Sequence, residues 1–128
     1  MKEKNLKPTE AELEILQVLW EKGPCPVKQI NDELNLRKPV GYTTTLKIMQ
    51  IMTDKGLLER SRDGRNHIYY PLLKKEDTQQ QMLSRLVQNM FGGSAKNLVM
   101  QALGNHQTTA GELAEIKKFI DRLENGQK

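Results

Sequence analysis

Along the first part of the chain, apolar residues recur at intervals of three and four: Leu13, Leu16 and Trp20, with Ile15 and Leu19 beside them. That spacing predicts an amphipathic helix with one wide stripe facing a core, and Trp20 is expected to anchor that core. The start is marked by Thr9 with Glu12 three residues later, a capping box, and the helix should run to about Lys22. Gly23-Pro24-Cys25-Pro26 then forces a turn, because two prolines in three residues remove backbone donors and fix φ. A short second helix follows with Val27, Ile30 and Leu34 inward. Asn35 to Pro39 is the next connection, since Pro39 pushes Lys38 out of the helical region.

The third helix is predicted over about Gly41 to Lys55 and stops at Gly56, which suits the left-handed position just past a helix end. At about 3.6 residues per turn, Thr45, Ile48, Met49 and Met52 share its buried face. Tyr42, Thr43, Thr44, Lys47 and Gln50 lie along the opposite side. The period then changes. Leu57 to Arg62 and Asn66 to Tyr70 have strand character, and Asp63-Gly64 between them is a strong hairpin signal. Strand alternation sends Tyr69 and Tyr70 to opposite faces, so at least one of them closes the small core.

After Pro71 the pattern is helical again. Lys74 to Phe91 carries Met82, Leu83, Leu86, Val87 and Met90 on one side and ends at Gly92-Gly93. Ser94 can cap the next helix, whose Leu98, Val99, Ala102 and Leu103 form another stripe before Gly104. Thr109 and Glu112 make a second capping box, and Leu113, Ile116, Ile120 and Leu123 follow at intervals of three, four and three. That is the spacing either of a short coiled-coil seam or of an ordinary amphipathic helix.

Such small amphipathic helices, following a compact domain, have little to pack against within one chain, and a second copy would cover them. The expected fold is therefore mainly α with a small β wing. Residues 1–73 form a winged helix-turn-helix DNA-binding domain, and 74–128 an α-helical dimerisation domain. The dimerisation candidates are Leu83, Leu86, Val87, Met90, Leu98, Val99, Leu113, Ile116, Ile120 and Leu123.

Charge sharpens the picture in one place. The 128 residues carry a formal net charge of +4, and the excess is local. From Arg37 to Lys75 nine basic residues meet three acidic ones, whereas residues 1 to 36 hold five Lys against seven acids. From Glu76 onward six basic residues face six acidic ones. Local basic charge is what a polyanion responds to. On its own such a run reads as a solvated surface; the hairpin and the glycine stop around it turn the reading toward DNA.

In a helix-turn-helix, base edges are met mainly by the N-terminal residues of the second, recognition helix. Threonine can serve phosphate or base and offer a methyl to thymine, and lysine can reach a guanine edge or a phosphate. Tyr42, Thr43, Thr44, Lys47 and Gln50 are thus the candidate reading face. Arg60, Arg62 and Arg65 at the hairpin tip are candidate contacts to the sugar-phosphate backbone or minor groove, because the planar guanidinium fork matches phosphate oxygens.

Other chemistry finds little support. The single cysteine, Cys25, cannot make an internal disulfide, which fits a reducing compartment. Cys25, His67 in the wing and His106 in a late loop suggest no nucleophile paired with a base and no metal-ligand cluster. There is no phosphate loop or dinucleotide fingerprint, so neither enzymatic activity nor a cofactor is expected. No apolar run approaches the ~18 residues of a membrane span, and the Met-Lys-Glu-Lys start lacks the apolar region of a signal peptide. The chain is expected in the cytoplasm, with no membrane partner.

Five short motifs stand in order along nearly the whole chain. They are Thr9-x-x-Glu12 leading through Ile15-Leu16 to Val18-Leu19-Trp20, the run Val40-Gly41-Tyr42-Thr43-Thr44-Thr45 opening the third helix, Gly56-Leu57-Leu58 into the wing, Tyr69-Tyr70-Pro71, and Phe91-Gly92-Gly93-Ser94 before Leu98-Val99. Together they are specific, and by them the sequence resembles the penicillinase-repressor family, winged-helix regulators related to the beta-lactamase and methicillin-resistance repressors.

The resemblance implies a homodimeric repressor that binds a palindromic operator and blocks transcription of nearby genes, with Thr44 and its neighbours on bases and the wing on backbone. For members controlling resistance genes it also implies inactivation by a protease, switched on by a membrane sensor, that cuts after an asparagine in the segment matching Leu98 to Leu103. Here the aligned pair is Gln101-Ala102, and the missing asparagine weighs against an inducing protease as a partner. Copper-responsive relatives carry paired cysteines near the C-terminus; this chain has none there, so metal sensing by that route is not expected. The alternative is a winged-helix protein-interaction module without specific DNA binding. Such a module would have no need to keep the basic segment with its arginine tip.

Overall fold

The computed structural model describes residues 7–63 and 66–126. Among them the elements run α1 (Glu10–Lys22), α2 (Val27–Leu34), α3 (Tyr42–Lys55), β1 (Leu58–Asp63), β2 (Asn66–Pro71), α4 (Lys75–Met90), α5 (Ala95–Asn105) and α6 (Ala110–Glu124). The chain divides into two compact units, Met1–Met82 and Leu83–Lys128, with the division inside α4.

Helix α1 begins where the capping box places it. The Thr9 hydroxyl accepts from the Glu12 N–H at 3.1 Å and the Thr9 N–H donates to the Glu12 carboxylate at 3.0 Å, satisfying two donors that an open helix end leaves unpaired. Ile15, Leu16, Val18 and Leu19 are buried, so the inward stripe is centred beside the predicted one, and Leu13 and Trp20 sit half-buried at its flanks. Trp20 is therefore a rim residue rather than a central anchor. Its indole N–H donates to the Leu73 carbonyl at 3.0 Å, and an indole leaving water is held wherever that donor finds a partner.

The core is completed by Val27, Ile30 and Leu34 from α2, Met49 and Met52 from α3, and Leu57, Leu58 and Tyr69 around the hairpin. Each fully buried side chain of this size contributes about 1.5–3 kcal/mol. Ile48, expected inside, is only partly buried and packs at the edge of this cluster with Val40 and Leu46. Helix α3 ends at Gly56, whose φ of 89° is left-handed. The Leu57 N–H returns to the Met52 carbonyl at 2.9 Å and the Gly56 N–H to Thr53 at 3.2 Å, a Schellman pattern that turns the chain directly into β1.

Strands β1 and β2 pair antiparallel, with Leu58 opposite Pro71, Arg60 opposite Tyr69, and Arg62 opposite His67. The expected turn at Gly64 and the tip residue Arg65 lie outside the described residues. The Tyr69 N–H donates to the Cys25 carbonyl at 3.1 Å, which fastens β2 to the turn between α1 and α2. A three-helix core whose second and third helices form a tight turn, followed by this hairpin, is a winged helix-turn-helix.

In the second unit, Gly92 and Gly93 take φ of 58° and 84° and end α4. Ser94 caps α5 by accepting from the Asn97 N–H at 3.1 Å. Helix α5 does not stop before Gly104 but continues to Asn105; one glycine near a helix end costs about 1 kcal/mol, too little to break it there. Thr109 and Glu112 form the second capping box, opening α6. No residue of α5 or α6 is buried, and Leu83, Leu86, Met90, Val99, Leu113, Ile120 and Leu123 all stand exposed, with Val87, Leu98 and Ile116 partly covered.

Candidate nucleic-acid interface

The turn between α2 and α3 is fixed by side-chain amides. Asn31 Nδ2 donates to the Val40 carbonyl at 3.1 Å and to the hydroxyl of buried Thr45 at 2.8 Å. Asn35 Nδ2 donates to the Val40 carbonyl at 2.9 Å, and its Oδ1 accepts from the Val40 N–H at 3.1 Å. These bonds replace the backbone ladder that Pro39 interrupts and set the direction in which α3 leaves the turn. The pairing of Asn31 with Thr45 spans fourteen positions, beyond what helix periodicity alone could reveal.

On α3, Tyr42, Thr43, Thr44, Lys47 and Gln50 are all exposed, with Thr43, Lys47 and Gln50 in line at helical spacing and Tyr42 and Thr44 at either flank, while Thr45, Met49 and Met52 point into the core. The N-cap is Gly41 and makes no side-chain cap bond. The first-turn N–H groups are therefore not occupied by a cap, and their partial positive charge can meet an anion.

The wing sorts its residues by strand parity. Directly opposed residues share a face, so Arg60 and Arg62 lie on the same face as Tyr69 and His67, and Glu59 and Ser61 on the other with Tyr70 and Ile68. Tyr69 is buried against the helices and Tyr70 is exposed; Arg60 and Arg62 are therefore on the side of the ribbon that faces the helix-turn-helix, with their side chains exposed. Arg65 lies outside the described residues. The tip cluster read from the sequence is thus, for Arg60 and Arg62, a pair on the inner face of the wing.

Between the wing and the helices is a cleft of about 270 Å³, lined by Pro26, Val27, Lys28, Tyr42, Leu46, Asn66, His67 and Tyr69. Lys28 was not legible as part of a site; His67, beside the arginines, reads from the sequence as a backbone contact or a surface residue, but its placement against α2 does not. The usable signal was parity, since His67 stands two positions from Tyr69 and must share its face. Cys25, behind this cleft, is buried; burial pushes its thiol above the ordinary range and the nearby Glu33 carboxylate adds to the shift, which removes the thiolate character that reactivity requires. Among the described residues no group of His, Cys, Asp and Glu is placed to hold a metal ion, and no helix is long and apolar enough to cross a membrane.

An exposed polar face on the third helix, flanked by arginines on the inner side of a wing, defines the architecture of winged-helix DNA-binding regulators. The chain belongs to the penicillinase repressor family, whose sequence model matches residues 8–122. It is similar to the methicillin resistance regulatory protein MecI of Staphylococcus aureus (strain N315), 20% identical over 122 residues that span 95% of this chain and 99% of that one. The penicillinase repressor of Bacillus licheniformis is 22% identical over 120 residues, 94% of each chain. The first of these relatives is a regulatory protein and the second a repressor. Among solved structures, the monomeric form of Bacillus licheniformis BlaI in complex with the blaP half-operator matches with a TM-score of 0.51 at 25% identity, covering 60% of this chain and 93% of that one. A MarR family protein from Bacillus stearothermophilus shares the fold over 95% of this chain and 76% of its own, with a TM-score of 0.50 at 18% identity.

Proposed function

We propose that the protein is a homodimeric transcriptional repressor that acts in the cytoplasm by binding a palindromic operator. The observation that carries this reading is the convergence of the exposed α3 face with Arg60 and Arg62 on the adjoining face of the wing. Thr43, Thr44, Lys47 and Gln50 read base edges in the major groove, Tyr42 stands at the groove's rim, and Arg60, Arg62 and Arg65 hold the backbone. That BlaI of Bacillus licheniformis binds an operator half-site supports the same role for the matching part of this chain.

In this reading residues 1–73 bind DNA and 74–128 join two copies. The exposed stripes of α4, α5 and α6 support it, because apolar side chains spaced along successive helices are covered at low cost by a two-fold partner. Pairing sets two recognition helices about one turn of DNA apart, roughly 34–36 Å. Proteolytic induction does not enter the reading, since Gln101-Ala102 stands where the cut members carry an asparagine.

The test is selection of bound sequences from a random duplex pool. Recovery of an inverted repeat with half-sites about one turn apart is expected; recovery of no enriched sequence would replace the repressor with the interaction module.

A further inference from the structure

The cleft of about 270 Å³ between the wing and the first turn of α2 has a lopsided chemistry. Among the described residues no carboxylate lines it, while Lys28, Tyr42 and His67 all do. The His67 Nδ1 atom is buried and has no hydrogen-bond partner among the described residues, although part of the residue is exposed. A buried polar atom that the fold leaves unpaired costs free energy until something completes it. Among the described residues, Lys28 from α2 and Tyr42 from α3 line the cleft with His67, Tyr69 stands two positions on in β2, and Arg62 pairs with His67 across the ladder in β1. Lys28 pairs with Asp32 at 3.2 Å, with both side chains mostly exposed; such a pair is worth little, and Lys28 can exchange it for a stronger anion.

We infer that this cleft seats one backbone phosphate of bound DNA, ligated by His67, Lys28 and the Tyr42 hydroxyl. The inference rests on the operator-binding reading and deepens it. A strand that touches both α3 and the inner face of the wing crosses the cleft, because Tyr42 lines it from one side and His67 from the other. An anion beside an imidazole favours its protonated form. An imidazolium at His67 therefore holds the phosphate more tightly than a neutral ring, and binding tightens as pH falls.

The experiment is an anisotropy titration of the intact protein with the duplex recovered from the selection, at about pH 6 and about pH 8, across a salt series. Wild-type affinity is expected to be roughly fivefold tighter at the lower pH for each bound subunit. His67→Gln removes that difference, and His106→Gln keeps it. Lys28→Gln, at an exposed position, weakens binding by about fivefold and lowers the slope of log affinity against log salt by about one per subunit. Neither His67→Gln nor Lys28→Gln changes which sequence is preferred. As a readout independent of affinity, the ring signals of the two histidines are followed by NMR in the wild type, and those of His67 alone move to imidazolium positions when duplex is added. If the duplex binds with its sequence preference intact, yet pH and both variants leave affinity and salt slope unchanged, the phosphate seat is overturned and the operator reading stands. If no duplex binds, both fall.

Discussion

The Lys55 ammonium donates to both carboxylate oxygens of Glu12, at 3.0 and 2.8 Å, and so joins the end of the recognition helix to the start of the first. Glu12 is 4% exposed and spends the same carboxylate on its own capping box. Lys55 reaches it from the surface, with 40% of its side chain exposed. Water therefore screens one partner, and the loss on removing Lys55 is set mainly by the buried carboxylate left behind. Lys55→Met is expected to lower stability by about 1–3 kcal/mol, and Glu12→Ala by more, because it removes the cap as well. Urea unfolding followed by Trp20 fluorescence measures both; an unchanged midpoint for Lys55→Met would show that the pair is ornamental.

Trp20 reports on a second long-range tie. Its indole N–H is the partner of the Leu73 carbonyl, 53 positions away, where the chain leaves the wing. Trp20→Phe keeps most of the apolar surface and leaves that carbonyl without its donor, at a cost of about 1 kcal/mol. A chemical-denaturation midpoint monitored by circular dichroism, equal to that of the wild type, would show that solvent replaces the bond freely.

The two halves of the interface should fail differently. Thr44→Ala and Lys47→Ala are expected to erode the ratio of specific to non-specific binding, by about 1–3 kcal/mol for a lost base contact. Arg60→Ala and Arg62→Ala should weaken binding to every sequence and flatten the salt dependence by about one unit of slope per lost phosphate. Competition titrations with selected and scrambled duplexes separate these cases. Arginine variants that leave affinity and salt slope untouched would remove the wing from the interface.

Dimerisation is tested on α6. Leu113 and Ile120 are 40% and 45% exposed in the single chain, so the double change Leu113→Glu, Ile120→Glu disturbs no intrachain core. It should convert the protein to a monomer in sedimentation at micromolar concentration and weaken binding to the full inverted repeat far more than to a half-site. A double variant that still sediments as a dimer would move the interface away from this seam.

What could be read from the sequence was local. Thr9 with Glu12 and Thr109 with Glu112 each act within one turn, and both boxes form where their spacing places them. Gly56 takes the left-handed φ that its position required, and the alternation of Tyr69 and Tyr70 sends one inward and one outward. The exposure of Thr43, Lys47 and Gln50 on α3 was legible for the same reason, since their spacing puts them on one side of the helix. The unread parts depend on distance or register. Glu12 finds Lys55 across 43 positions, and no local rule links them. Trp20 was placed by its preference for burial, yet its N–H fixed it at the rim. Gly104 carries a stop signal that the continuing hydrogen bonds of α5 outweigh. The side of the wing on which Arg60 and Arg62 lie became visible once Tyr69 was known to be the buried tyrosine.

In the proposed complex DNA meets the exposed side of α3 together with the inner face of the wing. Backbone amide mapping by NMR, on adding the selected duplex to the intact protein, tests it most directly. The largest shifts are expected at 42–50 and 60–62, with α6 left nearly unchanged. Shifts concentrated in α4 to α6, with α3 silent, would contradict it.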